Sequence, residues 1–429
     1  MGSDTCVIRT ACLATIVVSF SASFWIYPTA LPQSTSLRSF IRIKQKGCRS
    51  VARGVVEPYT ADYQLRDQEI DLGGPRYAAF KWDGKIERKD FDAAADIRSS
   101  RIMFKILNST LYVKPTQDRN GSEEKRYVKM IEQLLMAIHI YRIPDMDFLV
   151  DVSDSLECNH PAFTYSVNIR CERGGFAFPS DGAYGVALGG DQLDLLYECL
   201  DAHFPYDARI TKGVWRGSTT GPPMNEENYK ENRRVRLSLL ARNRTDIMDV
   251  GLYAYSQVTS DVKKLLTEAI PLVPRIPMEH YNNYTLILDL DGNGWSDRLS
   301  TLISYNTPLF KQTTNYQDYF GHLLQPGVHI ETFNESLVDV VPRLEELLEE
   351  YRSSPRRLRE MANKMHQFTK EHASHLGLVR AVAYGLNMYA SKLTWKTELE
   401  SGFVEVKKSK CCHKNPTFPA QFLKAVRAG

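Results

Sequence analysis

Short apolar runs alternate with helical patterns along this chain, and the alternation predicts an α/β fold. Residues 148–152 and 284–288 are β-rich and apolar, as expected for buried parallel strands. Ahead of the first run, apolar side chains recur at helical spacing on one face. They are Tyr127, Met130, Ile131, Leu134, Leu135 and Ile138. Such alternation is typical of Rossmann-like sheets.

The later part of the chain is predicted to be mostly helical. Residues 337–389 are rich in Leu, Glu, Arg and Met, and Pro342 and Pro355 are expected to divide this stretch. On these patterns we divide the chain into four parts: residues 1–40 (hydrophobic anchor and stem), 41–265 (first α/β domain, with a mixed region at its start), 266–395 (second α/β domain) and 396–429 (polar tail).

A glycine-rich loop follows the second apolar run. Gly292 and Gly294 have no side chains, so a phosphate could approach the backbone N–H groups closely. Ser296 is predicted to cap the helix that follows, whose dipole would favour an anion. Arg298, in the first turn of that helix, would bind phosphate in bidentate fashion. The sequence therefore predicts an anion site on this loop.

A loop about 80 residues earlier has similar chemistry. The run Trp-Arg-Gly-Ser-Thr-Thr-Gly at 215–221 again combines an arginine, glycines and hydroxyl side chains. Two such loops suit a diphosphate held between them, because the arginines can neutralise its charge. The pair of loops predicts a nucleotide-sugar site.

Other interpretations of the second loop stay open. Asp289, Asp291 and Asn293 match the first half of an EF-hand calcium loop, but Ser300 stands where that loop needs a glutamate. Asp289 and Asp291 could instead be a metal-binding acid pair, or Asp289 could cap N–H groups in an ordinary strand-to-helix turn. A nicotinamide site is disfavoured because the motif lacks its third glycine.

Four motifs follow one another in an order that resembles glycosyltransferase family 90. They are Trp-Arg-Gly-Ser-Thr-Thr-Gly at 215–221, Arg-Val-Arg-Leu at 234–237, Asp-Gly-x-Gly-x-Ser-x-Arg at 291–298 and Gln-Pro-Gly-Val-His at 325–329. The similarity extends over about residues 60–390. The family contains Rumi-type protein O-glucosyltransferases and fungal capsule-associated xylosyltransferases. The motifs are specific for the family and much less so for the substrate.

The resemblance implies two Rossmann-like domains that face a cleft, the GT-B arrangement, in which late helices cross back onto the first domain. In Rumi-type enzymes an aspartate shortly after the matching strand is the general base, and Asp154 falls on that position. Ser155 and Leu156 replace the Tyr-Pro that usually follows, so the acceptor side departs from the family's pattern. The other candidate aspartates are Asp145, Asp147 and Asp151.

The implied activity is inverting, metal-independent transfer of a sugar from a UDP-sugar to a hydroxyl group of a protein or glycan. Glucose and xylose are the leading candidates, and no metal and no cofactor beyond the donor substrate is expected. The predicted donor-binding residues are Arg216, Gly217, Ser218, Arg234, Gly292, Gly294, Ser296, Arg298 and His329. The alternative is a catalytically inactive sugar- or glycan-binding protein of the same fold.

Composition and the amino terminus bear on partners and compartment. The net charge of +3, without a basic stripe of interleaved aromatics, argues against a nucleic-acid partner. Residues 11–27 are apolar and close to the lower length limit of a membrane span, which predicts a signal anchor or a cleaved signal peptide.

The charges around this segment conflict with other features. Basic residues that follow it favour a cytoplasmic catalytic domain, whereas potential disulfides and glycosylation triplets favour the lumen. We expect a single-pass type II membrane protein of the endoplasmic reticulum or Golgi lumen, or a soluble secretory-pathway protein after cleavage. The triplets are at Asn108, Asn120, Asn243, Asn283 and Asn334, and the cysteines are Cys48, Cys158, Cys171 and Cys199.

Overall fold

The computed structural model describes most of the chain after the amino-terminal segment. The chain divides into two units, Met1–Gly47 and Cys48–Gly429, and all that follows concerns the second. The predicted anchor at 11–27 and the predicted base Asp154 lie outside the described residues. The described ranges are 47–54, 68–72, 77–96, 101–115, 121–153 and 158–406.

Thirteen strands occur in the described ranges. In chain order they are β1 (Arg101–Leu107), β2 (Thr110–Val113), β3 (Met146–Asp151), β4 (Ala162–Thr164), β5 (Val167–Asn168), β6 (Phe176–Ala177), β7 (Ile210–Ser218), β8 (Met248–Ala254), β9 (Tyr284–Asp289), β10 (Leu309–Gln312), β11 (Tyr316–Gln317), β12 (Ile330–Phe333) and β13 (Val404–Glu405).

Eleven α-helices accompany them in the same part of the chain. They are α1 (Cys48–Gly54), α2 (Arg88–Asp96), α3 (Gly121–Ile140), α4 (Asp181–Val186), α5 (Gly190–His203), α6 (Arg233–Arg242), α7 (Ser260–Ala269), α8 (Leu299–Leu302), α9 (Val340–Ser353), α10 (Arg356–Phe368) and α11 (His375–Ala390). A π-helical turn, Thr369–Ala373, joins the last two.

The strands form two large sheets and one small ribbon. The first large sheet has the order β13-β2-β1-β3-β4-β6, with parallel pairing among β3, β4 and β6 and antiparallel pairing elsewhere. The second has the order β12-β10-β9-β7-β8 and is parallel throughout. β5 and β11 form the ribbon. The α/β class predicted from the sequence is confirmed.

The predicted central elements form because both sides of each sheet are covered. Every residue of β3 and of β9 is buried, which matches continuous apolar runs rather than an alternating pattern. The apolar face predicted for the helix before β3 is buried along α3. Local hydrophobic pattern was therefore sufficient to find these elements.

The carboxyl-terminal helices return to the first sheet. α11 packs against α3, and Tyr389 of α11 donates a hydrogen bond to the carbonyl oxygen of Pro161, beside β4. Pro355 precedes α10 and separates it from α9, as predicted. Pro342 does not divide the helical stretch, because it lies in the first turn of α9, where its missing N–H has no intrahelical partner to lose.

Two disulfides join the four cysteines that the sequence marked as candidates. Cys158 bonds to Cys171, and Cys48 bonds to Cys199 across a separation of 151 residues. The second bridge ties α1 to α5. Within the described ranges, no helix combines the length and the apolar character that crossing a membrane requires.

Candidate active site

The two glycine loops lie side by side at one edge of the second sheet. β7 and β9 are adjacent and parallel, so the segments that follow them leave the sheet at the same edge. Arg234, at the start of α6, joins the two loops. It donates from Nε to the carbonyl oxygen of Asp291 at 2.9 Å and from Nη1 to Thr220 Oγ1 at 2.5 Å.

Arg234 and Arg298 lie against the same buried indole. Their Cζ atoms are 5.7 and 5.6 Å from the centre of the Trp215 ring. Arg298 also donates from Nη1 to the carbonyl oxygen of Arg216 at 2.5 Å. Burial, and then the charge of Arg298, lowers the pKa of Arg234 to about 10, so the Arg234 guanidinium is still cationic at neutral pH.

The charges of Asp289 and Asp291 act on Arg234 through space, but neither arginine is in contact with a carboxylate of the described residues. The hydrogen bonds of Arg234 and Arg298 go to carbonyl oxygens and a hydroxyl, and no carboxylate in the described part of the chain forms a salt bridge with either. Two partly or fully buried guanidinium groups thus concentrate positive charge between the glycine loops. Such a place favours a bound anion.

Arg216 has different surroundings from those expected. Its guanidinium donates to Asp249 Oδ1 at 2.5 Å and to the carbonyl oxygens of Asp249 and Pro274 at 2.7 and 3.3 Å. Successive side chains of a strand point to opposite faces, so Arg216 and Trp215 diverge. The side chain therefore links β7 to β8, and its part in donor binding stays a prediction.

Two glycines make the close packing of this edge possible. A Cβ on Gly217 would lie 2.3 Å from the Trp215 ring, and one on Gly292 would lie 3.1 Å from Arg234 Nη2. A side chain at either position would displace the indole or the arginine. Ser218 follows Gly217 and contributes its carbonyl oxygen to Arg234 at 3.2 Å. Gly294 is buried in the second loop.

Ser296 does not cap the next helix as predicted. Its hydroxyl donates to Asp289 Oδ1 at 2.5 Å, and the residue before α8 is Arg298, which makes no side-chain capping bond. The charged carboxylate of Asp289 is a strong acceptor for this hydroxyl, which therefore points to Asp289. Since α8 is only one turn long, the helix dipole expected at this loop is also small.

A lysine occupies the space between the two aspartates of the second loop. Lys311 Nζ lies 3.0 Å from Asp289 Oδ2 and 3.5 Å from Asp291 Oδ1. Although burial opposes it, the two carboxylates raise the pKa of Lys311. The acid pair is therefore neutralised in part by an ammonium group of the chain itself.

A cavity of about 210 Å³ opens beside this cluster. Its walls come from the second glycine loop, from the residues after β10 and from the start of β12. His329 stands just before β12, where its Nδ1 accepts a bond from the N–H of Gln325 at 3.2 Å. Its ring packs 5.0 Å from that of Phe368, and burial lowers its pKa. These contacts fit a packed, neutral imidazole.

The carboxyl edge of the first sheet faces the second loop. Tyr165, just after β4, packs edge to face against Trp295 with the ring centres 5.9 Å apart. Ser180, the residue before α4, donates from Oγ to Asp297 Oδ1 at 2.5 Å. Because β3 and β4 are parallel, the segment after β3 leaves its sheet at this same edge.

The segment after β3 leads to Asp154, and the structure describes this segment as far as Ser153. Val152 accepts a bond from Arg126 Nη1 at 2.8 Å, and the Ser153 N–H donates to Asp151 Oδ1 at 2.9 Å. The Cζ atom of Arg126 lies 5.8 Å from the centre of the Tyr165 ring. The chain is thus fixed at the carboxyl edge of the first sheet as far as Ser153.

The other candidate aspartates already have structural partners. Asp147 accepts from Lys105 Nζ at 2.5 Å, and Asp151 accepts from Arg101 Nε at 3.1 Å. Asp145 accepts from the N–H of Asn108 at 2.8 Å. Asp147 and Asp151 are buried in ion pairs within the first sheet, so a substrate cannot reach either carboxylate to give it a proton.

Three residues of this region were not selected from the sequence. Lys311 lies in β10, Asp318 lies after β11, and Tyr165 lies at the facing edge. The signal for Lys311 was a lysine inside the apolar run that forms β10, since a buried lysine needs a carboxylate nearby. The contact of Tyr165 with Trp295 left no signal, because it joins positions 130 residues apart.

The sequence of this chain is similar to those of known proteins. The glycosyl transferase family 90 profile matches residues 80–426. Protein O-glucosyltransferase 2 of Danio rerio is 24% identical over 254 residues, covering 56% of this chain and 46% of that protein. Uncharacterized protein 035R of Invertebrate iridescent virus 3 is 26% identical over 194 residues, covering 43% of this chain and 17% of that protein.

The chain spans less than half the length of these curated relatives. The family match, in contrast, covers most of the chain and includes both sheets and both glycine loops. It confirms the resemblance drawn from the four motifs. This chain belongs to glycosyl transferase family 90.

Proposed function

We propose that this protein transfers a sugar from a UDP-sugar to a hydroxyl group of a protein or glycan, with inversion and without a metal. The observation that carries the proposal is the pair Arg234 and Arg298, which lie between two glycine loops and form no salt bridge with a carboxylate in the described residues. A diphosphate supplies the missing negative charge and many acceptor oxygens.

The donor side uses this charge. Arg298 and Arg234 stabilise the negative charge that develops on the leaving UDP, and the backbone N–H groups of residues 292–296 assist. Ser218 ends β7, and Ser296 lies on the second loop, where its hydroxyl donates to Asp289. Arg216 acts indirectly. Its guanidinium links β7 to β8, and its carbonyl oxygen accepts a hydrogen bond from Arg298.

The acceptor side uses Asp154 as the general base. It takes the proton of the acceptor hydroxyl while that oxygen attacks the anomeric carbon, and UDP departs from the opposite face. Support comes from the position of Ser153 at the edge that faces the second glycine loop. The engagement of Asp147 and Asp151 in buried ion pairs supports Asp154 over these two aspartates.

Independence from a metal is supported by Lys311. Metal-dependent transferases need a pair of carboxylates free to chelate, whereas Asp289 and Asp291 here share the ammonium of Lys311. Asp289 also accepts a bond from Ser296. A cation would have to displace a buried lysine from the pair.

The proposed architecture is that of two Rossmann-like domains, one built on each large sheet, with the site in the cleft between the sheets. β7 and β8 belong to the second sheet although they precede residue 265, where the sequence analysis placed the domain boundary. The contacts Tyr165–Trp295 and Ser180–Asp297 support a cleft of this kind. The proposed compartment is the endoplasmic reticulum or Golgi lumen, reached through the segment at 11–27. Two disulfides support an oxidising compartment.

Glucose is the first donor sugar to test, because one relative's name is Protein O-glucosyltransferase 2. The full chain is incubated with UDP-glucose or UDP-xylose and with serine-containing peptides or short glycans, and the acceptors are analysed by mass spectrometry. Addition of a hexose or pentose is the expected result. Tight UDP-sugar binding without any transfer, across both acceptor classes, would instead favour an inactive binding protein.

A further inference from the structure

The short helix α1 is held between α5 and the segment that precedes β9. The Cys48–Cys199 disulfide joins it to α5, and the N–H of Cys48 donates to Glu279 Oε1 at 2.6 Å. The N–H of Arg49 donates to Glu279 Oε2 at 3.4 Å, so this carboxylate receives the first N–H groups of the helix. The backbone that carries the Arg49 side chain is therefore fixed by a covalent bond and by a charged acceptor.

The Arg49 guanidinium links the end of α4 to the turn that follows the second glycine loop. Nη1 donates to the carbonyl oxygen of Val186, the last residue of α4, at 2.7 Å. Nη2 donates to the hydroxyl of Ser304 and to the carbonyl oxygen of Thr301, the latter at 3.5 Å. A planar guanidinium reaches separate acceptors in fixed directions, so this one side chain ties α4 to the turn.

The turn that Arg49 holds begins at Arg298. The carbonyl oxygen of Arg298 accepts bonds from the N–H groups of Thr301 at 2.9 Å and of Leu302 at 3.0 Å, which form the single turn of α8. One helical turn is not stable by itself, because nucleation costs more than its few hydrogen bonds return. The position of α8 therefore depends on side chains from other elements, and Arg49 supplies one of them.

The guanidinium of Arg298 has few contacts of its own to hold it. Within the described ranges its hydrogen bond goes to the carbonyl oxygen of Arg216, and its Cζ atom lies 5.6 Å from the centre of the Trp215 ring. A displacement of α8 would carry the backbone of Arg298 with it and move this charge. Functional side chains must be held to within about 0.5 Å, so such a displacement would weaken the binding of an anion.

We propose that Arg49 is a positioning residue for Arg298, because it fixes α8 and thereby holds the Arg298 guanidinium where the diphosphate binds. The inference rests on the proposed transferase function. Arg49 acts on the donor only through Arg298. Thr369 holds the same turn, since its hydroxyl donates to the carbonyl oxygen of Ile303 at 2.6 Å, so loss of Arg49 should displace α8 without unfolding it.

The test measures UDP binding to the full chain by titration calorimetry, for Arg49→Gln alone and in combination with Arg298→Ala. Arg49→Gln alone should weaken UDP binding about tenfold, because a displaced arginine loses much of its charge-assisted bonding to phosphate. In the Arg298→Ala background the same substitution should have no further effect, since the residue through which Arg49 acts is already absent.

Arg53→Gln is the matched control. Arg53 lies on the same helix and donates to the carbonyl oxygen of Gly185 at 2.6 Å, but it has no bond to α8 in the described residues. This variant should bind UDP like the unsubstituted protein. Ser304→Ala breaks the same link from the other end, because it removes the hydroxyl that accepts from Arg49. It should weaken UDP binding about three- to tenfold, and again only while Arg298 is present.

Melting temperatures establish which variants are folded, and either Arg49→Gln or Ser304→Ala is enough for the test. Folded variants that bind UDP within about twofold of the unsubstituted chain would overturn the inference. An equal loss with and without Arg298 would also overturn it, as would the failure of both variants to fold, because each result would assign Arg49 a general structural role. If the unsubstituted protein does not bind UDP, or if Arg298→Ala binds it normally, the proposed donor site itself is refuted.

Discussion

Lys311 places its ammonium group 3.0 Å from the Asp289 carboxylate, in the position that a chelated cation would take. The lysine comes from the strand next to the one that ends at Asp289. A pair of aspartates that the sequence alone allows as a metal site is therefore bridged by the chain's own cation.

Replacement of Lys311 by methionine should strongly destabilise the protein. Asp289 and Asp291 would remain buried without their cation, and breaking a buried ion pair from one side costs about 3–5 kcal/mol. Urea unfolding at pH 7 measures the loss, with Lys364→Met on the exposed side of α10 as the control. Equal unfolding midpoints for the two variants would show that the ammonium group contributes little.

Arg298→Ala and Arg216→Ala should have separable effects. Arg298 faces the proposed diphosphate, so its loss should weaken UDP binding about ten- to hundredfold while the protein stays folded. Arg216 bonds to Asp249 and Pro274, so its loss should mainly lower the melting temperature. Calorimetric titration with UDP and thermal unfolding of both variants provide the comparison. A stable Arg216→Ala protein that no longer binds UDP would reverse this assignment.

Asp154→Asn should separate turnover from donor binding. The substitution keeps size and removes basicity, so sugar transfer should fall by about 10²–10⁴-fold while UDP affinity hardly changes. Steady-state transfer rates and UDP titrations on the same preparation measure the two quantities. Near-normal transfer by a folded Asp154→Asn protein would exclude this residue as the base.

The stability of the protein should depend on Asp318 in a defined pH window. Burial raises the pKa of this carboxyl to about 7 in the folded chain, well above the value of about 3.9 for an unfolded aspartate. The folded state therefore binds the proton more tightly, and this contribution is full below pH 4 and lost as the pH rises through 7.

Relative to Asp318→Asn, the unsubstituted protein should lose about 4 kcal/mol of unfolding free energy between pH 4 and pH 8. Urea unfolding of both proteins across this range gives the difference directly. A difference that is independent of pH would mean that Asp318 titrates in the folded protein as it does in water.

The two disulfides should contribute unequally to stability. Cys48–Cys199 spans 151 residues and Cys158–Cys171 spans 13. Loop-closure entropy predicts a loss of about 4–5 kcal/mol for Cys199→Ser and about 3 kcal/mol for Cys171→Ser. Denaturant unfolding under non-reducing conditions tests the order. A larger loss for Cys171→Ser would show that loop length does not decide it.

The proposed lumenal compartment also has a test in the protein from its own host. Asn108, Asn243 and Asn334 lie in glycosylation triplets and are exposed. Glycosidase treatment should lower the mass of the native protein, and thiol labelling should find both disulfides formed. An unglycosylated protein with four free thiols at these cysteines would place it in another compartment.

The elements of the sheets were predictable because their signals are local. β9 is a continuous apolar run, and α3 carries its apolar residues at helical spacing. The glycine loop after β9 could be placed for the same reason. Each of these signals is complete within about 20 residues.

The contacts that shape the site were less predictable, because they join distant segments. Ser296 was assigned to a helix cap by a local rule, yet the carboxylate of Asp289 is the partner that tertiary structure offers. Arg216 was chosen for its charge, but only the packing of Trp215 decides which face of β7 turns to the loops. Strand alternation alone cannot choose between the faces.

The central claim is that positive charge of the chain, rather than a chelated cation, supports departure of UDP. The most direct measurement is UDP release from UDP-glucose and UDP-xylose by the full chain, with acceptor present, before and after treatment with EDTA. We predict release that is unchanged by EDTA and falls sharply with Arg298→Ala. Release that vanishes with EDTA and returns with manganese would contradict the claim.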